Sequence, residues 1–207
     1  MSDLFSSRRH LTMFAKAPVA GKVKTRLAAS IGFEEAASLH GAFLADLGGT
    51  IERLCEEDER VSASLSLSGD AEHPTFLLLR NERGLAFRDQ GSGDLGARLS
   101  STTTQAFEGG VEQLIIIGSD SPTLETRHFH DAFAALEAGA DVVLGPSFDG
   151  GYYLIGLSGA HTSVFEGITW STPKVLHQTL ERAHAAHLEI ALLEFWYDVD
   201  ELEDLLL

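Results

Sequence analysis

The run Leu114-Ile115-Ile116-Ile117-Gly118 constrains the fold of this chain more than any other stretch. Successive side chains of a strand point to opposite faces, so four aliphatic residues in a row demand cover on both. That is the mark of a central strand in a parallel sheet with helices on either side. The surrounding pattern agrees. Apolar residues at Phe33, Ala36, Ala37, Leu39, Phe43, Leu44, Leu47, Ile51 and Leu54 recur at helical spacing. Residues 61–67 alternate serine with apolar side chains, which predicts a strand. Other strands are expected near 10–15, 85–88, 141–145, 152–156 and 189–195. Helices are expected over 74–80, up to about residue 107, over 127–137, and from Thr172-Pro173 to about residue 186. Thr172 would cap that last helix, with Pro173 at its first position. Asp200 would begin a terminal helix. Strands alternating with helices predict a single-domain, three-layer α/β/α fold with a mixed, mostly parallel sheet. It would span residues 10–207 after a flexible polar segment, 1–9.

The second constraint is charge. The chain has 31 acidic and 15 basic residues, a net charge of −16. Yet no acid lies between Asp3 and Glu34, and that window holds Lys16, Lys22, Lys24 and Arg26. A basic loop in an acidic protein calls for a bound anion. Pro18 and Gly21 disfavour helix and strand, so the segment reads as a loop between strand 10–15 and a helix starting near Arg26, with Thr25 as its cap. Strand, Gly-containing basic loop and helix together hold phosphate through backbone N–H groups and the positive end of the helix dipole. The spacing is not that of a Walker loop: Lys16 stands where that motif needs glycine, and Val23 where it needs Ser or Thr.

Polar, Gly-rich sequences follow three of the expected strands, and ligand crevices of open α/β sheets lie at the carboxyl ends of strands. Asp120, just past the 114–118 run, is placed to hold Mg²⁺ (or Mn²⁺), which takes one or two carboxylates plus substrate phosphates. Asp198 or Asp200 could complete the site. Asp200 sits three residues before Glu203, as in a capping box, which leaves Asp198 as the better ligand candidate. Asp149-Gly150-Gly151 permits a hairpin turn and close backbone approach to a ligand. Tyr152 and Tyr153 point to opposite faces, so one of them at most would face the crevice. Gln90, Asp94 and Arg98 lie on a Gly-rich loop and first helical turns; Gln90 could read a base or hydroxyl, and Arg98 a phosphate.

Composition excludes other classes. A strongly acidic surface repels nucleic acid outside the basic loop. No apolar run is long enough to span a membrane, and Lys16 interrupts any signal-peptide core. A single cysteine, Cys55, rules out an internal disulfide and suits a reducing cytoplasm. The nine histidines lack zinc-site spacing, and no hydrolase elbow occurs.

Several motifs occur together in order: Lys16-Ala-Pro-x-x-Gly21-x-Val-Lys24-Thr25-Arg26-Leu27, Gln90-Gly-x-Gly-Asp94-Leu-Gly-x-Arg98, Gly118-Ser-Asp120-Ser-Pro122, Gly145-Pro-x-x-Asp149-Gly-Gly-Tyr152, Ile168-x-Trp170-Ser171-Thr172 and Asp198-Val-Asp200. Over about residues 10–206 the chain resembles the glycosyltransferase-A-like family of radical-SAM/selenodomain-associated transferase 1. More distantly it is similar to the molybdenum-cofactor and 2-phospho-L-lactate guanylyltransferases. The resemblance implies a nucleotide-diphospho-sugar transferase fold with a mixed seven-stranded sheet. It also implies a nucleoside triphosphate or nucleotide-sugar substrate with Mg²⁺ and an unidentified small acceptor, with Trp170 and Ser171 joining the substrate residues. Asp200-Glu201-Leu202 departs from a common Asp-Thr-Pro. The expected activity is transfer, with nucleotidyl transfer ahead of glycosyl transfer because the basic loop resembles a pyrophosphate-holding loop and Ser-Asp-Ser matches Asp-x-Asp only in part. Lys24 and Arg26 would hold phosphate, and Asp120 with Asp198 the metal. The alternative is a non-catalytic nucleotide-binding module.

Overall fold

The computed structural model describes residues 7–206. Seven strands form one sheet: β1 (Arg9–Lys16), β2 (Val61–Ser68), β3 (Ala86–Asp89), β4 (Gln113–Ile117), β5 (Val142–Pro146), β6 (Tyr152–Leu157) and β7 (Ile190–Leu192). Their order is β3-β2-β1-β4-β6-β5-β7. All neighbours pair in parallel except at β6, which runs antiparallel to both β4 and β5. Six α-helices connect them: α1 (Thr25–Ile31), α2 (Phe33–Glu57), α3 (Pro74–Arg83), α4 (Leu95–Glu108), α5 (Thr126–Glu137) and α6 (Val175–Ala185). This is the expected mixed, mostly parallel α/β/α architecture. Among the described residues no helix is long and apolar enough to cross a membrane.

The β4 run does what its composition demands. Ile115 and Ile117 join the core beneath α2, α3 and α5, while Leu114 and Ile116 join the core beneath α4 and α6. In β2 the alternation has a different outcome from solvent exposure. Leu65 and Leu67 enter the first core, but Ser64 and Ser66 are buried too. Ser62 and Ser64 sit 2.8 Å from the two ring nitrogens of His10, and Ser64 lies 3.1 Å from the Thr12 hydroxyl. A strip of hydrogen-bonded hydroxyls and imidazole thus lies within the sheet, which satisfies buried polar groups in place of water.

Four boundaries differ from expectation. The N-terminal segment 1–9 was expected to be flexible; 1–6 lie outside the described residues, and Arg9 already pairs with Val61 and Gln113. Thr25 does not cap α1: Lys24 is the cap residue, in left-handed backbone (φ 45°, ψ 44°), with no side-chain cap bond. The last long helix starts at Val175 rather than at Pro173, because Thr172 Oγ accepts from Lys174 N (3.4 Å) and donates to Thr169 O (2.7 Å), tying the segment into a turn. The terminal helix is a 3-10 turn, Glu203–Leu206, and the orphan N–H groups of Asp200 and Glu201 are taken by Asp204 Oδ2 (2.9 and 2.8 Å). Asp200 is therefore not the cap, and its carboxylate is free to point elsewhere.

Candidate active site

The carboxyl ends of β1 and β4 open into one cleft, where the basic loop after β1 meets the acidic segment that carries Asp198 and Asp200. After β1, Ala17 N bonds Ser68 O (3.0 Å) and Lys22 N bonds Val19 O (2.9 Å), with Gly21 at φ 74°, so the loop folds back as a tight turn. It lines a pocket of about 270 Å³ with Lys16, Lys22, Lys24, Thr25 and Arg26, closed by His40, Ser119, Asp120 and Asp200. His40 Nε2 lies 3.2 Å from Lys16 O. A carbonyl only accepts, so Nε2 carries the proton, and burial lowers the His40 pKa and keeps the ring neutral.

Lys24 is the hub. Its side chain is 3% exposed, pairs with Asp120, and stands 3.0 Å from Asp200 Oδ1. The ammonium also lies 5.7 Å from the centre of the Phe43 ring. Arg26 pairs with the other oxygen of Asp200 and reaches Glu201 at 3.4 Å. The tail that brings Asp200 here is held to the β4 exit by Val199 N to Asp120 O (2.8 Å). The sequence spacing had favoured Asp198 as partner for Asp120; the structure brings Asp200 into the same cluster, with Asp204 taking its capping role. Asp198 is also present, hydrogen-bonded by Ser121. Burial, and secondarily repulsion from Asp120, Asp149 and Asp200, pushes its pKa up to about 6 against the opposing Ser121 bond.

A second cavity of about 740 Å³ adjoins the first, sharing Arg26, Asp120 and Asp200. Its floor is the sheet face beneath α4 and α6, represented by Phe14, Ile116 and Ile155, and its walls include Leu95, Leu99 and Val175. Asp149, Tyr152, Trp170 and Ser171, the candidate substrate residues of the sequence, line it. Gly150 and Gly151 do not line it but shape it. Gly150 has φ +88°, and a Cβ there would fall 2.4 Å from Pro173 O. Gly151 N bonds Asp149 Oδ1 at 2.8 Å, which fixes that carboxylate. Trp170 fits because Gly96 has no Cβ, which would lie 2.9 Å from the indole Nε1. Tyr152 and Tyr153 pack in different cores, on opposite faces of the sheet as their alternation predicts, and Tyr152 shares the face beneath α4 and α6 with this cavity. Tyr153 donates to Glu194 O (3.2 Å).

Gln90, Asp94 and Arg98 line neither cavity. Gln90 is buried, donating to Ser66 O (2.9 Å) and Ala15 O (3.3 Å). Arg98 donates to Gln90 Oε1 (3.2 Å) and Gly93 O (3.0 Å), and Asp94 caps α4 through Ala97 N (2.8 Å). The three brace the loop before α4 against the β1 exit. Residues that sequence reasoning missed are His40, Phe14, Leu95, Leu99 and Val175; an apolar cavity wall has the same sequence signature as core.

The family profile described as "Uncharacterized protein conserved in bacteria (DUF2064)" matches residues 50–172, more than half of the chain. The chain belongs to this family. No curated protein matches the sequence. Among solved structures, a candidate nucleotide-diphospho-sugar transferase from Desulfovibrio desulfuricans G20 is 33% identical, with a TM-score of 0.86, over 96% of this chain and 85% of that one. The 4-diphosphocytidyl-2C-methyl-D-erythritol synthase of Anaerococcus prevotii DSM 20548 superposes with a TM-score of 0.60 at 11% identity, covering 97% and 96% of the two chains. The inositol-1-phosphate CTP transferase of T. maritima gives 0.54 at 13%, covering 96% and 91%. At such identities these last two share the fold: that of the nucleotide-diphospho-sugar transferases.

Among the described residues no three His, Cys, Asp or Glu side chains are arranged to enclose a metal ion. The donors at the mouth of the large cavity, Asp120, Asp149, Asp198 and Asp200, are nonetheless all carboxylates. Mg²⁺ is held by one or two carboxylates, with water and substrate phosphate as the rest, so the donor chemistry fits.

Proposed function

We propose that this protein is a divalent-cation-dependent transferase acting on a nucleoside triphosphate or nucleotide sugar, with nucleotidyl transfer ahead of glycosyl transfer. The observation that carries the reading is the pairing of Lys24 and Arg26 with Asp120 and Asp200 at the junction of a cationic pocket and a larger cavity. Arriving phosphate oxygens would take the two cations from the carboxylates, and the carboxylates would then be free for Mg²⁺ or Mn²⁺. Asp120 with Asp198 or Asp200 would hold the ion, which supplies charge neutralisation on the phosphates. In nucleotidyl transfer an acceptor oxygen bonds to the α-phosphorus, the α–β bridging bond breaks, and pyrophosphate leaves. Lys16, Lys22 and Lys24 would stabilise the charge on that leaving group, and Arg26, shared by both cavities, the transferred phosphoryl. Little else is required of the protein, since positioning and charge stabilisation dominate such reactions. The CTP-using names among the fold relatives, and the resemblance to guanylyltransferases, support a nucleotide substrate without fixing the base.

The test is a thermal-shift and calorimetric panel of nucleotides and nucleotide sugars with and without Mg²⁺. A ligand at about 100 times its Kd stabilises by about 2.7 kcal/mol. Lys24→Ala and Arg26→Ala are expected to weaken binding, at roughly 1.5–3 kcal/mol per charge-assisted bond. Lys174→Ala, outside the loop, should not. Equal affinities for the parent and all three variants would refute the phosphate role. Release of pyrophosphate or of nucleoside diphosphate identifies the reaction; tight binding with neither product would leave the second reading, a nucleotide-sensing module, which the self-paired cations favour.

A further inference from the structure

We infer that the 740 Å³ cavity takes an acceptor with an apolar body and an uncharged hydroxyl head, and not a phosphorylated or carboxylated one. This rests on the transferase reading above and names its second substrate. Volume comes first. The basic pocket, at about 270 Å³, has room for a phosphate chain and little more, whereas 740 Å³ lies in the range for a whole small-molecule ligand. The inner walls come next. Phe14, Leu95, Leu99, Ile116, Ile155 and Val175 present hydrocarbon. Of the two tyrosine hydroxyls nearby, Tyr153 donates to Glu194 O, and that of the half-buried Tyr152 is enclosed near Thr179 without a hydrogen-bond partner among the described residues. A nucleobase pushed against these walls would exchange the several hydrogen bonds of its edge for at most the one that the Tyr152 hydroxyl offers, a cost that an apolar ring does not bear, and a hydroxyl-bearing acceptor can use that same group. The inner occupant is therefore the acceptor and not the base.

The mouth decides the head group. Four carboxylates, Asp120, Asp149, Asp198 and Asp200, border the cavity against a single cation, Arg26. Asp200 already pairs with Arg26, so that cation is not free to receive a second anion. Even with two of these carboxylates holding the cation, Asp149 and one other would still face a phosphate or carboxylate on the acceptor, and like charges at close range discriminate against it. A hydroxyl donates to a carboxylate oxygen and lies beside Asp120 and Arg26, where the two cavities join and the phosphoryl group would be.

The experiment uses 2-phenylethanol and 2-phenylethyl phosphate as probes, followed by saturation-transfer NMR on the full-length protein with Mg²⁺. Inorganic pyrophosphate and CTP serve as probes of the basic pocket. Phenylethanol is expected to bind, to remain bound when either pyrophosphate or CTP is saturating, and to outcompete its phosphate ester at least tenfold. Leu95→Glu places a charge in the wall at an exposed first helical position where an acid suits the helix dipole, so the fold is retained. It should weaken phenylethanol at least tenfold and leave pyrophosphate binding unchanged; Trp170→Ala should do likewise. Displacement of phenylethanol by CTP but not by pyrophosphate would put the base in the cavity and overturn the inference. Equal binding of the phosphate ester, or no loss in Leu95→Glu, would also overturn it. If neither pyrophosphate nor CTP binds at all, the transferase reading fails, and the acceptor assignment with it, whatever phenylethanol does.

Discussion

Lys24 carries two costs that one pair of substitutions separates. It is buried with its ammonium between Asp120 and Asp200, and its backbone is left-handed at φ 45°. Lys24→Ala removes the ammonium and keeps the Cβ. Removing one partner of a fully buried pair costs about 3–5 kcal/mol. Here Asp120 and Asp200 are 48% and 29% exposed and keep part of their water, so about 1–3 kcal/mol is expected. Lys24→Gly loses the same ammonium but relieves the left-handed strain, about 1–2 kcal/mol for a residue with a Cβ. The greater freedom of glycine in the unfolded chain returns about 0.4–1 kcal/mol of that. The glycine variant should therefore be the more stable of the two by about 0.5–1 kcal/mol. For a chain of this size that is roughly 1–4 °C in Tm. Thermal unfolding by circular dichroism, free of nucleotide and metal, measures it, with pyrophosphate binding as a second readout that should be equally weakened in both. An alanine variant at least as stable as the glycine variant would refute the strain, and with it the argument that this loop holds its shape for a ligand at the expense of stability.

Other outcomes follow from the same geometry. Asp120→Asn keeps the size and an acceptor oxygen but loses the charge a hard cation needs, so turnover across a Mg²⁺ titration should vanish while the fold is kept at a lower Tm, since the buried Lys24 ammonium then pairs with Asp200 alone; retained, metal-dependent turnover would remove Asp120 from the site. Burial, and secondarily the charge of Arg88, lowers the His10 pKa from 6.5 to about 4, so the unfolded chain binds more protons in that window and stability should fall as pH drops from 6.5 to 4; His10→Gln should flatten that slope, and an unchanged slope would show that His10 is not its source. Gly150→Ala forces a Cβ to 2.4 Å from Pro173 O at positive φ, so urea unfolding should show a loss of at least about 2 kcal/mol, together with weakened phenylethanol binding as the 170–173 wall shifts.

Much of the architecture was legible because burial on both faces leaves a plain signature. Leu114 to Ile117 reads as a covered strand, and Pro18 and Gly21 mark the acid-free window before Lys24 as a loop. What escaped the sequence was choice among near-equivalents. Asp200 has capping spacing to Glu203, but Asp204, one residue further, takes the free N–H groups, and nothing local tells the two apart. Gln90 and Arg98 carry the chemistry of base and phosphate readers and serve as braces instead. The final strand was expected over 189–195 and covers only Ile190–Leu192: its parallel pairing with β5 lapses beside the irregularity at Gly145/Pro146 and resumes as a single bridge between Ser147 and Trp196. The cavity walls read as core because a gap in the helical cover cannot be seen in a residue pattern.

Lys24 and Asp200 are 176 positions apart. At a synthesis rate of about 5–20 residues per second, the basic loop leaves the ribosome roughly 10–35 s before the carboxylate that pairs with it. Six of the seven strands precede that carboxylate by more than forty positions, so the sheet can assemble first, with the Lys24 ammonium still uncompensated by Asp200. Synthesis of residues 198–200 thus arms the cleft: a product ending before residue 198 keeps most of the scaffold, leaves Lys24 to Asp120 alone and Arg26 without Asp200, and lacks Asp198.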